Sequence, residues 1–222
     1  MDKYYKAYDK RYKQVYKLNE LWEVTDKTPT VINTILKYNI SKSNKILELG
    51  CGEGRDAFYL LKEGYNILAV DYSKTVINKC NELTNNKYVN NFRQFDIIED
   101  KLDEKFDFIY SVAVIHMFVE QNDRDTFYKF IKKYLTGTGI ALIISMGDGQ
   151  SEFKTNINDA FNNTKRKNIN SGKDIMVAKT SCRVKNMVNM EKEIINNGLE
   201  IIEEGILDDV PNFDKCMFFI VK

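Results

Sequence analysis

The chain has 222 residues, of which 43% are hydrophobic and 29% charged, and its formal net charge is +1. That length and balance suit one α/β core without cross-links and exclude a disordered or fibrous protein. The near-neutral charge argues against a broad basic face for nucleic acid, and no stretch approaches the about 18 apolar residues of a membrane span.

Residues 1–26 are aromatic and basic. Tyr5, Tyr8, Tyr12 and Tyr16 recur at helical spacing, which predicts helical turns with one aromatic face. Thr28-Pro29 reads as an N-cap followed by an N1 proline, with Val31, Ile32, Ile35 and Leu36 as the buried stripe of the next helix. Lys45–Leu49 is a short apolar strand that runs into Gly50-Cys51-Gly52-Glu53-Gly54. A helix through Ala57, Phe58, Leu60 and Leu61 follows, and Gly64 fits its stop. Asn66–Val70 is a second strand ending at Asp71, and Ser73 caps a helix bearing Val76, Ile77 and Cys80. A third strand is predicted near 92–95 and a fourth over 106–114. A helix over 124–135 with Gly137 beyond it leads to a fifth strand, 139–145. Residues 187–197 read as a helix stopped at Gly198, and 199–207 with 216–222 as two consecutive strands.

Strands that alternate with helices predict a mostly parallel sheet covered on both faces, and the closing hairpin predicts an antiparallel edge. One domain over 1–222 is expected. Residues 1–26 are read as an N-terminal lid and 147–186 as a cap insertion, the two covering the site from opposite sides. Lys165-Arg166-Lys167 within the cap is read as a solvated helix face.

The chemistry concentrates in Glu48–Gly54. Glycines spaced G-x-G-x-G directly after a strand permit tight dihedrals and close approach of a ligand to the backbone, and the following helix offers free N–H groups. Asp71 ends the second strand 71 − 54 = 17 residues past the last glycine, where a carboxylate accepts the hydroxyls of a ribose. A nucleoside-bearing cofactor is expected. The dinucleotide pattern G-x-G-x-x-G is not met, because the third glycine comes one residue early. Glu48, two places before Gly50 in an otherwise apolar strand, suits a cofactor with an amino group and a sulfonium better than a pyrophosphate.

The stretch Ile46-Leu-Glu-Leu-Gly-Cys-Gly-Glu-Gly-Arg-Asp56, followed by Ala69-Val-Asp-Tyr-Ser73, resembles the first two motifs of class I S-adenosylmethionine-dependent methyltransferases. Cys51-Gly-Glu-Gly-Arg55 and the later Gly64-Tyr-Asn-Ile67 resemble the tellurite-resistance and thiopurine branch, whose members act on small molecules. The resemblance implies a Rossmann-like α/β fold with a seven-stranded sheet of order 3-2-1-4-5-7-6, strand seven antiparallel and helices on both faces. It also implies S-adenosyl-L-methionine as cofactor. Gly50, Gly52 and Gly54 match the loop around the methionine part, Asp71 the ribose acid, and Tyr72 the residue beside adenine. Asp96-Ile97 match the motif whose acid meets the adenine amino group, and Ser111 the position whose backbone faces the methionine. Trp22, Glu48, Cys51 and Arg55 join the cofactor side, with Cys51 as a small filler and Arg55 or Arg11 facing the cofactor carboxylate.

His116, just past strand four, is the candidate catalytic residue. It stands either as a general base or, preferred here, as a wall beside the cofactor, since no second residue in the sequence orients the imidazole. Tyr4, Asp148 and Arg183 are placed by position on the acceptor side. No metal is expected: Cys51, Cys80, Cys182 and Cys216 form no C-x-x-C pair. Strand four ends Tyr110-Ser111-Val112-Ala113, without the Asp/Asn-Pro-Pro-Tyr or Pro-Cys runs of base methyltransferases, which leaves a small-molecule acceptor. The alternatives are a non-catalytic cofactor-binding relative and a protein or RNA methyltransferase. A charged start without an apolar leader core points to the cytoplasm, with no membrane or nucleic-acid partner.

Overall fold

The computed structural model describes residues 3–22 and 26–222. The parts of the expected lid at residues 1, 2 and 23–25 lie outside them. The order of elements is a 3-10 turn at Tyr4–Lys6, then α1 (Ala7–Tyr16), α2 (Pro29–Lys37), β1 (Ile46–Leu49), α3 (Arg55–Lys62), β2 (Ile67–Asp71), α4 (Lys74–Leu83), β3 (Phe92–Gln94) and β4 (Phe106–Val112). Then come α5 (Gln121–Tyr134), β5 (Leu135–Met146), β6 (Phe153–Lys154), β7 (Asn163–Lys167), β8 (Asp174–Ala178), β9 (Arg183–Val184), α6 (Met187–Asn196), β10 (Ile201–Leu207) and β11 (Cys216–Val221).

Seven strands form one sheet in the order β10-β11-β5-β4-β1-β2-β3. Counted along that sheet this is the expected 3-2-1-4-5-7-6. β1 to β5 run parallel, and β11 inserts antiparallel between β5 and β10. Every residue of β1 is buried, as a strand covered on both faces requires. The chain leaves β1 toward β2 and β3, then crosses to β4 and β5 on the other side. The reversal puts a crevice at the carboxyl ends of β1 and β4, where open α/β sheets hold their ligands.

Two predicted boundaries move. The helix starts at Gln121 and ends at Tyr134, and β5 begins at Leu135 rather than Gly139. Gly137 does not stop the helix. Leu135 is already extended, at φ −70° and ψ 141°, and pairs with Phe106 ahead of an irregularity in the ladder. Lys165-Arg166-Lys167 lies on β7, not on a helix, because that segment pairs antiparallel with β8.

The inserted region 147–186 is ordered by two small antiparallel ladders, β6 with β9 and β7 with β8. It is joined to the N-terminal segment. Arg11 on α1 donates to the carbonyls of Ala178 (3.1 and 3.0 Å) and Lys179 (2.8 Å) and to Thr180 Oγ1 (2.6 Å). Lys10 reaches Phe161 O and Tyr8 reaches Ser181 O. No helix among the described residues is long and apolar enough to cross a membrane.

Candidate cofactor site

The turn between β1 and α3 is a left-handed loop. Gly50, Gly52 and Gly54 have φ of +69°, +52° and +81°. The N–H groups of Gly50 and Cys51 both donate to Val70 O, at 2.8 and 2.9 Å, which ties the loop to the end of β2. At Gly50 a Cβ would lie 2.5 Å from a Val114 methyl, and at Gly54 it would lie 2.8 Å from the Phe58 ring. Glycine is therefore needed there both for dihedral freedom and for space.

Asp71 stands at the mouth of this loop. Its carboxylate accepts from Gly52 N–H at 3.1 Å and from Ser73 N–H at 2.8 Å. Ser73 in turn caps α4 by accepting from Val76 N–H, and its hydroxyl donates to Asp9 of α1. Helix cap, acid and glycine loop are thus one local unit. Glu48 is buried in β1, in register with Ala69 of β2 and Tyr110 of β4. Burial, with the Glu48 carboxylate next in importance, pushes the Tyr110 phenol well above its ordinary range.

The neighbouring candidates fall around the same crevice. Trp22 N–H donates to Glu53 Oε1 at 3.0 Å, and the Arg11 guanidinium lies 4.8 Å over the Trp22 ring. Arg55 donates to Thr28 Oγ1 at 3.0 Å and lies 3.6 Å from Asp56, which holds Thr28 through its N–H and its hydroxyl. Cys51 is buried near the Cys80 thiol, and burial pushes its pKa well up, as suits a filler rather than a nucleophile. Tyr72 has the Lys6 ammonium 4.9 Å over its ring and the Tyr5 ring edge-on at 6.0 Å. Asp96 accepts from Ile98 N–H and from the Tyr5 hydroxyl, and burial raises its pKa. Ile97 is buried in the core beside it.

Past β4, Ala113 takes a φ of +57° and turns the chain into the 3-10 turn Ile115–Met117. His116 is buried there, its ring 5.9 Å from that of Phe213. Burial, helped by the charges of Arg124 and Arg11, pushes its pKa down to about 3, so the imidazole is neutral across the physiological range. Among the described residues, buried polar atoms without a partner include Arg55 Nε, Ser111 Oγ and His116 Nδ1. All three belong to β4, the turn beyond it, or the first residue of α3.

The three acceptor-side candidates have partners inside the protein. The Tyr4 hydroxyl donates to Asp123 at 2.6 Å and accepts from Val119 and Glu120 N–H. Asp148 is held down to about 2 by the N–H groups of Ser151 and Gln150. Arg183 donates to Val119 O at 2.9 Å. Sequence reasoning overlooked Asp56, although its place directly after the Gly54-Arg55 step marks the helix start, and it overlooked the contact of Tyr5 with Asp96, which no local pattern announces.

The sequence model of the family described as "Tellurite resistance protein TehB" matches residues 11–176. The chain belongs to this family. A probable S-adenosyl-L-methionine-dependent methyltransferase TehB of Haemophilus influenzae is 31% identical over 102 residues, 46% of this chain and 35% of that protein. The chain thus matches about a third of the length of this curated relative. A solved S-adenosylmethionine-dependent methyltransferase of Clostridium acetobutylicum superposes with a TM-score of 0.68 at 16% identity, over 95% of both chains. The 1,6-didemethyltoxoflavin-N1-methyltransferase of Burkholderia thailandensis gives 0.67 at 13% identity, over 94% of this chain and 83% of that one. At such identities the two structures establish a shared fold, that of the class I methyltransferases. The resemblance carried by Ile46–Asp56 and Ala69–Ser73 therefore holds for the family and for the architecture.

Proposed function

We propose that this chain is an S-adenosylmethionine-dependent methyltransferase that acts on a small-molecule acceptor. The observation that carries the proposal is the placement of Asp71. Two backbone N–H groups, one from the glycine loop and one from the α4 cap, fix its carboxylate at the carboxyl end of β2. A carboxylate fixed there is placed for the vicinal hydroxyls of a ribose. The relatives' designations and the B. thailandensis enzyme's small heterocyclic substrate support the cofactor and the acceptor class.

The residues present fit that cofactor. Arg55 Nε–H and Ser111 Oγ are buried donors without a protein partner, and such atoms call for a polar occupant. Arg55 would hold the cofactor carboxylate, and Glu48 and the loop from Gly50 through Cys51 and Gly52 to Gly54 would surround its methionine part. Trp22 would close over the loop, Asp71 would hold the ribose, and Tyr72, Asp96 and Ile97 would hold the adenine. Bound there, S-adenosylmethionine supplies an electrophilic methyl group on a sulfonium. The protein's part in transfer is then chiefly alignment and exclusion of water. His116 serves as a neutral wall of the acceptor side, with Phe213 against its ring. α1 with the β7–β8 ladder forms the cap.

Calorimetric titration with S-adenosylhomocysteine should give a micromolar Kd. No heat and no thermal shift at millimolar ligand would overturn the proposal. A screen of small thiols, amines, phenols and acids with methyl-labelled cofactor identifies the acceptor, and label found only in protein or RNA would overturn the acceptor class.

A further inference from the structure

Tyr5 reaches from the N-terminal turn into the site and is 5% exposed. Its hydroxyl donates to Asp96, 3.1 Å from Oδ2 and 3.3 Å from Oδ1. Its ring lies edge-on to Tyr72 at 6.0 Å and to Phe118 at 5.4 Å. Asp96 Oδ1 also accepts Ile98 N–H at 3.0 Å, and Oδ2 faces the Lys6 ammonium at 3.8 Å. Tyr5 and Ile98 thus hydrogen-bond to the carboxylate and Lys6 stands within ion-pair distance of it. Tyr4 fastens the same turn to Asp123 and to the backbone at 119 and 120.

An aromatic ring set against other aromatic side chains, with one edge donor on a buried carboxylate, is also a chemical description of adenine with its 6-amino group. We propose that Tyr5 is a built-in occupant of the adenine end of the cofactor cleft, which the cofactor must displace in order to bind. The inference rests on the assignment of Tyr72 and Asp96 to adenine made above. Lys6 belongs to the same device: it lies over the Tyr72 ring and between Asp96 and Glu99, so release of the turn frees both the ring face and the carboxylate. The measured affinity is then the intrinsic affinity multiplied by the fraction of molecules whose turn has left Asp96.

The test is a titration of wild type, Tyr5→Phe and Tyr5→Ala with S-adenosylhomocysteine, together with hydrogen exchange of wild type with and without saturating ligand. Tyr5→Phe keeps the ring and loses the bond to a charged acceptor, and should bind roughly threefold to tenfold tighter than wild type. Tyr5→Ala should bind at least as tightly as Tyr5→Phe; if it fails to fold, Tyr5→Phe decides. Amides of residues 3–8 should exchange faster in the saturated protein. Equal or weaker binding by Tyr5→Phe, or protection of residues 3–8 by ligand, would make Tyr5 a wall of the subsite and overturn the inference alone. Absence of binding in all three proteins would overturn the cofactor assignment beneath it.

Discussion

The floor of the crevice and its cap are held in contrasting ways. In the floor, Gly50, Cys51 and Gly52 bond to Val70 and Asp71 through backbone N–H groups, Gly52 and Asp71 lying 19 positions apart. In the cap, side chains do the joining over long separations: Tyr8, Lys10, Arg11 and Gln14 all bond to the insertion, and Arg11 reaches Ala178, 167 positions along the chain. A floor of backbone bonds is set by local sequence, with glycine required at Gly50 and Gly54. A cap tied by side chains, with a buried cation on three acceptors at its centre, depends on that cation's length, charge and fork geometry.

The contrast predicts its largest effect at Arg11. Arg11→Ala removes a charged donor from the carbonyls of Ala178 and Lys179 and from the Thr180 hydroxyl, and it uncovers the Trp22 ring. It should cost about 3 kcal/mol, or a fall in Tm of roughly 6–12 °C. Arg11→Lys should recover only part of this, because an ammonium cannot serve three acceptors in one plane. Differential scanning calorimetry decides the point. A loss under about 1 kcal/mol would mean that the cap is held elsewhere.

At Asp71 the effect should fall on binding. Asp71→Ala removes a charged acceptor, and S-adenosylhomocysteine affinity should drop by about 1.5–3 kcal/mol, while the loop keeps its bonds to Val70. Titration calorimetry with a melt on the same sample separates the two. Unchanged affinity would reject the ribose assignment. A melt that falls as far as that of Arg11→Ala would erase the contrast between floor and cap.

The same contrast explains what the sequence discloses. The glycine loop and Asp71 are legible because each follows from a short run, an apolar strand with glycines after it and an acid at the next strand's end, and the strand order follows only from the family that these runs resemble. The boundary at Leu135 is missed because pairing with Phe106 extends β5 back through Gly137, which reads as lying between the helix and the strand. Lys165-Arg166-Lys167 is misread because three adjacent cations carry no period, and β8 alone makes that segment a strand. The union of α1 with the insertion, and of Tyr5 with Asp96, is illegible because each joins segments whose separation no local rule spans. His116 is found by position, but its neutral state depends on burial and on two arginines from different elements.

His116 lies where floor and cap meet: Ser181 of the cap donates to Met117 O at 2.8 Å beside it. Its folded pKa of about 3 is below the unfolded value, so the neutral form stabilises the fold. That contribution is fully present above the unfolded pKa, near 6.5, and is lost as pH falls from there toward 3. As the sole histidine of the chain, it should cost wild type about 2 kcal/mol between pH 7 and pH 5 relative to His116→Asn. Carboxyls with raised pKa, such as Asp96, act equally in both proteins and cancel. Urea midpoints at the two pH values provide the measurement, and parallel losses would show that the imidazole titrates as if exposed. For turnover, a wall predicts altered acceptor KM in His116→Ala with an unchanged pH profile, whereas a base predicts a loss of about 100-fold or more that shrinks as pH rises.

The smallest effect separates two strained positions. Ala113 in the floor and Thr180 in the cap both have left-handed backbone, with φ of +57° and +63°. An L residue there costs about 1–2 kcal/mol, and glycine removes that strain while adding about 0.4–1 kcal/mol of unfolded-chain entropy. At Ala113 the side chain is a single methyl and the one backbone bond, N–H to Ile144 O at 2.9 Å, survives the change. Ala113→Gly should therefore stabilise by about 0.5–1 kcal/mol, a rise in Tm of roughly 1–4 °C. Thr180→Gly relieves the same strain but deletes the hydroxyl that accepts from Arg11 at 2.6 Å. A bond to a charged donor is worth about 1.5–3 kcal/mol, more than the relief, so the sign reverses and Tm falls. Thermal melts of the two variants side by side test this. Stabilisation by both would mean that the Arg11 contact at Thr180 contributes little and that the three backbone bonds to Ala178 and Lys179 hold the cap without it.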